Sequence, residues 1–247
     1  MDDMRSNVGS RARPSKEEDD YRQAVQEVQE DEAPDFKIDC LDLNSIPADA
    51  TIVITGKRHT GKSVLLTDIM YHMRHKVDLV IGICPTEHGS GTLGRIAPRM
   101  FTYTKFDISI LQKLINMQEA VLASGERPLK ICLVLDDCMS DKSVLNKSQV
   151  RELFMNGRHL KLGVILTAQY MMDLPSSIRT NIDFVFSFRE PSVGNRERLY
   201  RNFFGVFSRP HDFEIVFRVC TDGYRCICLD NRKKTMNPEL CVRYYQA

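Results

Sequence analysis

The sequence predicts an α/β fold in which helices cover both faces of a mostly parallel sheet. First, apolar runs rich in β-branched residues alternate with helical patterns, beginning with "TIVIT" at 51–55. Second, the intervening helical segments are about ten residues or longer, which favours parallel pairing of the strands that flank them. Third, 247 residues with 43% hydrophobic and 27% charged side chains have the composition of an ordinary globular protein. Because no internal repeat is visible, we expect one domain over 36–247.

Six apolar runs are predicted to form the strands of the parallel sheet. They are 51–55, 77–84, 100–104, 130–137, 162–169 and 183–188. Each run is short and is bounded by turn or helix signals, as buried strands are. Two later runs, 213–220 ("FEIVFRVC") and 224–230 ("YRCICLD"), are joined through "TDG". We predict that they form a C-terminal antiparallel hairpin.

Helical periodicity identifies the segments between these strands. After Gly61, four apolar residues recur at i, i+3, i+4 and i+7 and therefore share one face: Leu66, Ile69, Met70 and Met73. Similar patterns predict helices at 110–121, 150–159 and 194–205. The glycine-rich segment 85–94, "PTEHGSGTLG", is predicted to be a loop.

The charge distribution separates residues 1–35 from the rest of the chain. These residues carry 5 basic and 11 acidic side chains, whereas the remaining 212 carry 29 and 22. A polar, charge-rich segment that is poor in aromatic residues predicts a disordered acidic tail, followed by a mildly basic domain. No apolar run approaches the ~20 residues that span a bilayer, and no signal peptide is visible. We therefore expect a soluble protein in a reducing compartment.

The eight cysteines are interpreted as reduced thiols. Cys226 and Cys228, with Cys241 and His211 nearby, are the candidates for a metal site. However, two residues at i and i+2 on a strand point to opposite faces, and no CxxC pair is present. Structural thiols are the interpretation that we favour.

The segment between the first strand and the first helix matches the phosphate-binding motif G-x-x-x-x-G-K-S. Its glycines let consecutive backbone N–H groups point at phosphate oxygens, and the following helix adds the partial positive charge of its N-terminus. Lys62 is predicted to reach the β- and γ-phosphates of ATP, and the Ser63 hydroxyl to ligate Mg²⁺. The candidate nucleotide-binding residues are Gly56, Lys57, Arg58, His59, Thr60, Gly61, Lys62 and Ser63. The motif predicts a three-layer P-loop NTPase.

Polar residues at the ends of two later strands supply candidates for catalysis. The run "ICLVLDD" ends in Asp136 and Asp137, and "LGVILTAQ" ends in Gln169. The first carboxylate is predicted to hold Mg²⁺ and the second to accept a proton from the attacking water. Gln169 is predicted to contact the γ-phosphate or that water.

An arginine from a neighbouring subunit often completes such a site by stabilising the charge that develops during hydrolysis. Arg158 in "NGRHLKLG" and Arg179 in "SSIRTNID" are the two candidates. Either could instead form a surface ion pair.

Several motifs together resemble the genome-packaging ATPases of large nucleocytoplasmic DNA viruses, such as poxviruses, mimiviruses and phycodnaviruses. These belong to the FtsK/HerA superfamily of ring-forming DNA pumps. The segments that carry the resemblance lie between 39 and 231: "GKRHTGKS", "LVLDDCMSDK", "FMNGRH", "LTAQYMMDLPSSIRTNIDFVF" and "NRERLYRNFFGVF". The later motifs are more diagnostic than the phosphate-binding loop, which many unrelated proteins share.

The resemblance implies a RecA-like ASCE core and an ATP-driven motor that loads double-stranded DNA into a preformed capsid. It implies that Lys62 and Ser63 bind the nucleotide and the metal. It also implies that Asp136 coordinates the metal and that Gln169 acts as the polar sensor. Asp137 stands where many superfamily members carry a glutamate, so the shorter side chain weakens its assignment as the base. Arg158 stands where the superfamily carries its trans-acting finger, which favours it over Arg179.

The resemblance also implies partners. We expect self-association into a ring of five or six subunits, sequence-independent contact with duplex DNA, and capsid or portal proteins as partners. Candidate DNA-contacting loops are 86–95, with Arg95 and Arg99 close by, and 141–148. The expected location is the host cytoplasm, at the viral factory, or the virion.

Two other functions remain open from the sequence. A different P-loop enzyme, such as a nucleotide kinase, would need an acceptor site and an arginine-rich lid, and no segment clearly supplies them. A non-hydrolysing assembly protein would use ATP only to hold subunits together. The acidic pair and Gln169 argue against the second alternative.

Overall fold

The computed structural model describes residues 21, 36–85, 87–138, 144–170 and 174–247. Most of the predicted acidic tail therefore lies outside the described residues. The strands are β1 Thr51–Thr55, β2 Leu79–Ile83, β3 Thr102–Tyr103, β4 Ile131–Leu135, β5 Leu162–Ala168, β6 Phe184–Ser187, β7 Cys226–Asp230 and β8 Val242–Tyr245. The α-helices are α1 Lys62–Met73, α2 Glu87–Ile96, α3 Ile108–Ala123, α4 Ser148–Asn156, α5 Ser176–Arg179, α6 Val193–Asn202, α7 Pro210–Cys220 and α8 Pro238–Cys241.

The strands form one sheet in the order β3-β2-β4-β5-β1-β6-β7-β8. The first six strands of the chain pair in parallel, whereas β7 pairs antiparallel with β6 and with β8. This confirms the predicted mostly parallel sheet with a C-terminal antiparallel hairpin. Strand β5 lies between β1 and β4, so the carboxyl ends of three central strands are neighbours at one edge of the sheet.

Two apolar cores lie on the two faces of this sheet, which confirms the three-layer arrangement. Along β1, Ile52 and Ile54 pack into one core while Val53 packs into the other, as the alternation of side chains in a strand requires. Helix α1 covers the first face, and α3, α4 and α7 cover the second. Among the described residues, a cleft lies at the carboxyl edge of the central strands.

The predicted strand 213–220 is wrong, because this segment forms most of helix α7. Its β-branched and aromatic content favours a strand, but its apolar residues also repeat with helical spacing. Phe213, Val216, Phe217 and Cys220 stand at i, i+3, i+4 and i+7, and all are buried. Pro210 in the first turn fits a helix start. The C-terminal hairpin is built from β7 and β8 instead.

The predicted glycine-rich loop at 85–94 is also wrong in part, because α2 begins at Glu87. Leu93 is fully buried against the sheet, where its side chain contacts the open face of Gly82. Burial of that side chain, about 1.5–3 kcal/mol, opposes the helix cost of the glycines, each about 1 kcal/mol relative to alanine.

Tyr21 is the one described residue of the N-terminal segment 1–35. Its ring is buried beside Tyr200, and its hydroxyl donates a 2.8 Å hydrogen bond to Glu214 on α7. At this residue the chain therefore contacts the folded domain. Within the described part of the chain, no helix has both the length and the apolar character needed to cross a membrane.

Candidate nucleotide-binding site

The phosphate-binding loop connects the carboxyl end of β1 to α1, as predicted. Gly61 has a left-handed φ of 110° immediately before the helix starts at Lys62. At Gly56, a Cβ atom would lie 2.8 Å from the Cβ of Phe188, which leaves no room for a side chain. The two glycines therefore allow a turn that other residues would strain or block. This turn is bounded by backbone N–H groups and the N-terminus of α1, both suited to anions.

The Lys62 side chain folds back into this loop. Its Nζ atom donates hydrogen bonds to the backbone oxygens of Gly56, at 2.5 Å, and Lys57, at 2.8 Å. Burial lowers the pKa of Lys62, and the nearby carboxylates of Asp137 and Asp136 oppose that shift. The ammonium group is therefore held near the acidic strand end, where two backbone carbonyl oxygens accept its hydrogen bonds.

Asp136 lies directly after β4 and is only 7% exposed. Its backbone N–H donates to the oxygen of Ile83 on β2, which fixes the strand end. The Thr167 hydroxyl donates a 2.6 Å hydrogen bond to Asp136 Oδ1, and Cys84 Sγ lies 3.7 Å from Oδ2. A buried carboxylate with hydrogen bonds of this kind has a fixed orientation toward the open edge of the sheet.

Asp137, the next residue, adopts a left-handed φ of 51°. Its backbone N–H donates to Thr167 Oγ1 at 3.0 Å. Gln169 Nε2 lies 3.4 Å from Asp137 Oδ1 and 3.5 Å from Oδ2. The structure thus brings the predicted base and the predicted polar sensor into contact. Aspartate is one of the few residue types besides glycine that adopt this conformation readily.

Thr167 is the residue that the sequence reasoning missed. Its hydroxyl donates to Asp136 and accepts from the backbone of Asp137, so it connects both acidic residues to β5. The signal was present: Thr167 lies two residues before Gln169 and therefore on the same face of the strand. However, threonine is common in β-strands, so its presence in an apolar β-branched run did not indicate a role in the site.

These residues line one open cleft of about 760 Å³, within the size range of small-molecule sites. Its described lining is Arg58, His59, Gly61, Lys62, Ser63, Val64, Asp136, Asp137, Thr167, Gln169 and Tyr224. Ser63 and Asp136 both line this cleft, from α1 and from the end of β4, and each carries a side-chain oxygen. They are oxygen donors, the ligand type that Mg²⁺ prefers, so the donor set fits that ion.

Two other residues of the loop point elsewhere. Lys57 Nζ forms an ion pair with Glu190 at 3.2 Å, behind the loop. Thr60 Oγ1 donates to the backbone oxygen of Lys57 at 2.8 Å, which stabilises the turn. Thr60 therefore stabilises the loop from within, and Lys57 connects it to Glu190, which lies outside the loop.

Neither candidate arginine lines the described part of this cleft. Arg158 precedes β5 at the opposite, amino edge of the sheet, and its Nη2 lies 2.5 Å from Asp183 Oδ1. Asp183 also accepts a hydrogen bond from the backbone N–H of Thr51, the first residue of β1. Since β5 is seven residues long, about 20 Å separates the two edges. Arg179 donates to the backbone oxygen of Leu174 at 3.1 Å.

The described cysteines are reduced and form no disulfide with one another, and most of them are buried. Burial raises the pKa of Cys132 to about 12 and that of Cys220 to about 11. Among the residues that the structure describes, no three His, Cys, Asp or Glu side chains are grouped in a way that could hold a metal ion.

Comparison with known proteins gives one family and several viral relatives. The model of the family described as Poxvirus A32 protein matches residues 41–203. An uncharacterized protein of Acanthamoeba polyphaga mimivirus is 34% identical over 221 residues, which cover 86% of this chain and 78% of that protein. An uncharacterized protein of Invertebrate iridescent virus 3 is 33% identical over 223 residues, covering 86% of this chain and 85% of the relative.

Among solved structures, the fold is similar to that of the genome packaging NTPase B204 from Sulfolobus turreted icosahedral virus 2 in complex with ATP-gammaS. The TM-score is 0.56 at 16% sequence identity, and the match covers 81% of this chain and 98% of that chain. At this identity the likeness establishes a shared fold.

Proposed function

The chain belongs to the Poxvirus A32 protein family, and on this premise we propose that it is a genome-packaging ATPase that moves double-stranded viral DNA into a preformed capsid. The observation that carries the proposal is that Lys62, Ser63 and Asp136 line one cleft between neighbouring strand ends. The fold-level likeness to an NTPase described as genome packaging supports the same activity.

ATP would bind with its phosphates in the turn between β1 and α1. The backbone N–H groups of the loop and the N-terminus of α1 would then face the phosphate oxygens. Lys62 would exchange the carbonyls of Gly56 and Lys57 for the β- and γ-phosphates, which are stronger acceptors because they are charged. The lysine would therefore move by rotation of its side chain, with the loop already formed.

Ser63 and Asp136 would hold Mg²⁺ in the same cleft. When bound, this ion neutralises phosphate charge. Asp137 would accept the proton of the attacking water, and Gln169, which contacts it, would orient that water or the γ-phosphate. Thr167 would position both carboxyl-bearing residues through its hydroxyl.

Coupling to DNA would require a ring in which one subunit completes the site of its neighbour. Arg158 is 60% exposed and lies at the amino edge, whereas the cleft lies at the carboxyl edge. It could therefore act only on another subunit's nucleotide, after release from Asp183.

The candidate DNA-contacting segments follow the carboxyl ends of β2 and β4, where the cleft also lies. Arg95 and Arg99 are exposed, but Arg95, at the end of α2, lies with Arg74 and Asp78 near the amino end of β2. Thr86 and residues 141–143 lie outside the described residues. Contacts to DNA phosphates would make transport independent of the DNA sequence and sensitive to salt concentration.

The protein partners would be the shell or portal proteins of the capsid. The protein would act in the host cytoplasm or in the virion.

The experiment that tests this function measures phosphate release from ATP with and without duplex DNA. We expect hydrolysis by the wild-type protein, stimulation by duplex DNA of unrelated sequences, and loss of activity in Lys62→Ala. Transfer of phosphate to a nucleoside acceptor without DNA stimulation would indicate a kinase instead. Tight ATP binding with no phosphate release would indicate an assembly protein.

A further inference from the structure

Two exposed apolar side chains line the nucleotide cleft beyond the residues that would contact phosphates. Val64, in the first turn of α1, is 58% exposed, and Tyr224 is 73% exposed. They lie 160 positions apart in the chain, and the fold brings both to the same cleft. An apolar surface next to a phosphate-binding loop suits the base, which is the flat and weakly polar part of a nucleotide.

The turn that carries Tyr224 holds it in an unusual backbone conformation. Gly223 and Tyr224 have φ values of 59° and 66°, and the backbone N–H of Arg225 donates to the oxygen of Asp222. These are the features of a type I′ turn, whose central positions strongly favour glycine, asparagine and aspartate. A bulky aromatic residue at this position costs free energy, and little burial compensates for it among the described residues, because Tyr224 is 73% exposed.

We propose that Tyr224 stacks on the base of the bound nucleoside triphosphate, and that Val64 provides a second apolar surface for that base. The inference rests on the proposed function, since it assigns the base end of the same ATP site. Antiparallel pairing with β6 places the start of β7, and hence this turn, at the carboxyl edge of the parallel strands. The turn therefore reaches the cleft from the side of β6, next to the strand that leads into the phosphate loop.

Stacking recognises the face of a base, which every base possesses, and not its pattern of donors and acceptors. Tyr224 is therefore expected to add affinity for nucleoside triphosphates over inorganic tripolyphosphate. It is expected to contribute similarly to ATP and GTP.

The test compares Tyr224→Asn with Tyr224→Phe and with the wild type. Asparagine removes the ring but adopts the left-handed conformation readily, so the variant should fold at least as stably as the wild type. We expect Tyr224→Asn to bind ATP and GTP roughly 5- to 150-fold more weakly, with unchanged affinity for tripolyphosphate. Tyr224→Phe should retain wild-type affinity, because the ring face is preserved. Tyr71→Asn, at a tyrosine that is 58% exposed on α1 away from this cleft, is the matched control.

A spectroscopic readout is available because the chain contains no tryptophan. In Tyr224→Trp, the single indole should change its fluorescence on addition of ATP but not of tripolyphosphate. In Tyr71→Trp, neither ligand should change it.

The outcomes separate this inference from the proposed function. Equal ATP affinity in Tyr224→Asn and wild type, with ATP hydrolysis intact, would overturn base stacking and leave the ATPase proposal standing. Failure of the wild type to bind ATP at all would overturn both.

Discussion

At the scale of single residues, the Thr167 hydroxyl connects the two acidic residues to β5, since it donates to Asp136 Oδ1 and accepts from the backbone N–H of Asp137. In Thr167→Val, Asp136 loses a hydrogen-bond donor and the Asp137 N–H loses its acceptor. Because residues that orient metal-binding or catalytic groups typically contribute 10- to 100-fold to activity, we expect kcat to fall by about that factor with little change in the KM for ATP. Thr167→Ser keeps the hydroxyl and is the control. Equal kcat values for the serine and valine variants would rule out the positioning role.

The positions of the site residues were predictable where a side chain belongs to a spaced motif. Lys62, Ser63 and Asp136 follow from a loop motif and from an acidic strand end, and the structure places them in one cleft. The contacts of Thr167 were not predictable in this way, because they depend on β5 lying between β1 and β4. Strand order is a property of the whole sheet, whereas the sequence indicates only which segments form strands.

The second prediction concerns the proton on Lys62. Burial lowers its pKa in the nucleotide-free protein, whereas phosphate oxygens in contact with the ammonium raise it. Binding should therefore take up protons when the pH lies between the free and bound pKa values, and affinity should fall as the pH rises through the free value. Calorimetry of ATP binding at alkaline pH, in two buffers with different ionisation enthalpies, measures this uptake. Proton release, or the same uptake in Lys62→Met, would contradict it.

At the scale of secondary structure, the sequence predicted the central strands and the main helices but not the class of every segment. The segment 213–220 has strand-like composition and helix-like spacing at once, and burial decided between them. In the helix, one apolar face packs against the sheet and the aromatic residues of the 203–207 turn. Composition is a weak indicator of strand structure when the same residues also define a helical stripe.

The prediction at this scale tests the packing of α7. Phe213 is fully buried and its ring lies 5.2 Å from that of Phe204, measured between centroids. Phe213→Ala should therefore lower the free energy of unfolding by about 3–5 kcal/mol. Val219→Ala, on the exposed side of the same helix, should change it by no more than ~0.5 kcal/mol. Denaturant unfolding of both variants measures the difference, and similar losses would show that α7 buries another face.

At the scale of the whole molecule, the sheet order explains why the arginine assignment could not be completed from one chain. The nucleotide cleft lies at the carboxyl edge of the sheet and Arg158 at the amino edge, where Asp183 holds it. A role in catalysis therefore requires a second subunit, and the sequence gives neither the ring size nor the contact between subunits.

Mixed assemblies test that role directly. If Arg158 completes a neighbour's site, then Arg158→Ala and Lys62→Ala proteins, each inactive alone, should recover ATPase activity when mixed. An Arg158→Ala subunit keeps its own phosphate-binding loop and would receive Arg158 from a Lys62→Ala neighbour. Lys161→Ala, at a partly exposed lysine of the same loop, is the matched control and should keep wild-type activity without mixing. No recovery on mixing would assign Arg158 to its ion pair with Asp183.

The measurement that tests the account most directly is the steady-state rate of phosphate release from ATP in wild type, Lys62→Ala and Asp136→Ala, with folding checked for each. If the ends of β1 and β4 form one ATP site, both substitutions should lower the rate at least about 100-fold, comparable to the loss of one transition-state donor. A folded Asp136→Ala protein that hydrolysed ATP at the wild-type rate would show that the acidic strand end has no part in the reaction.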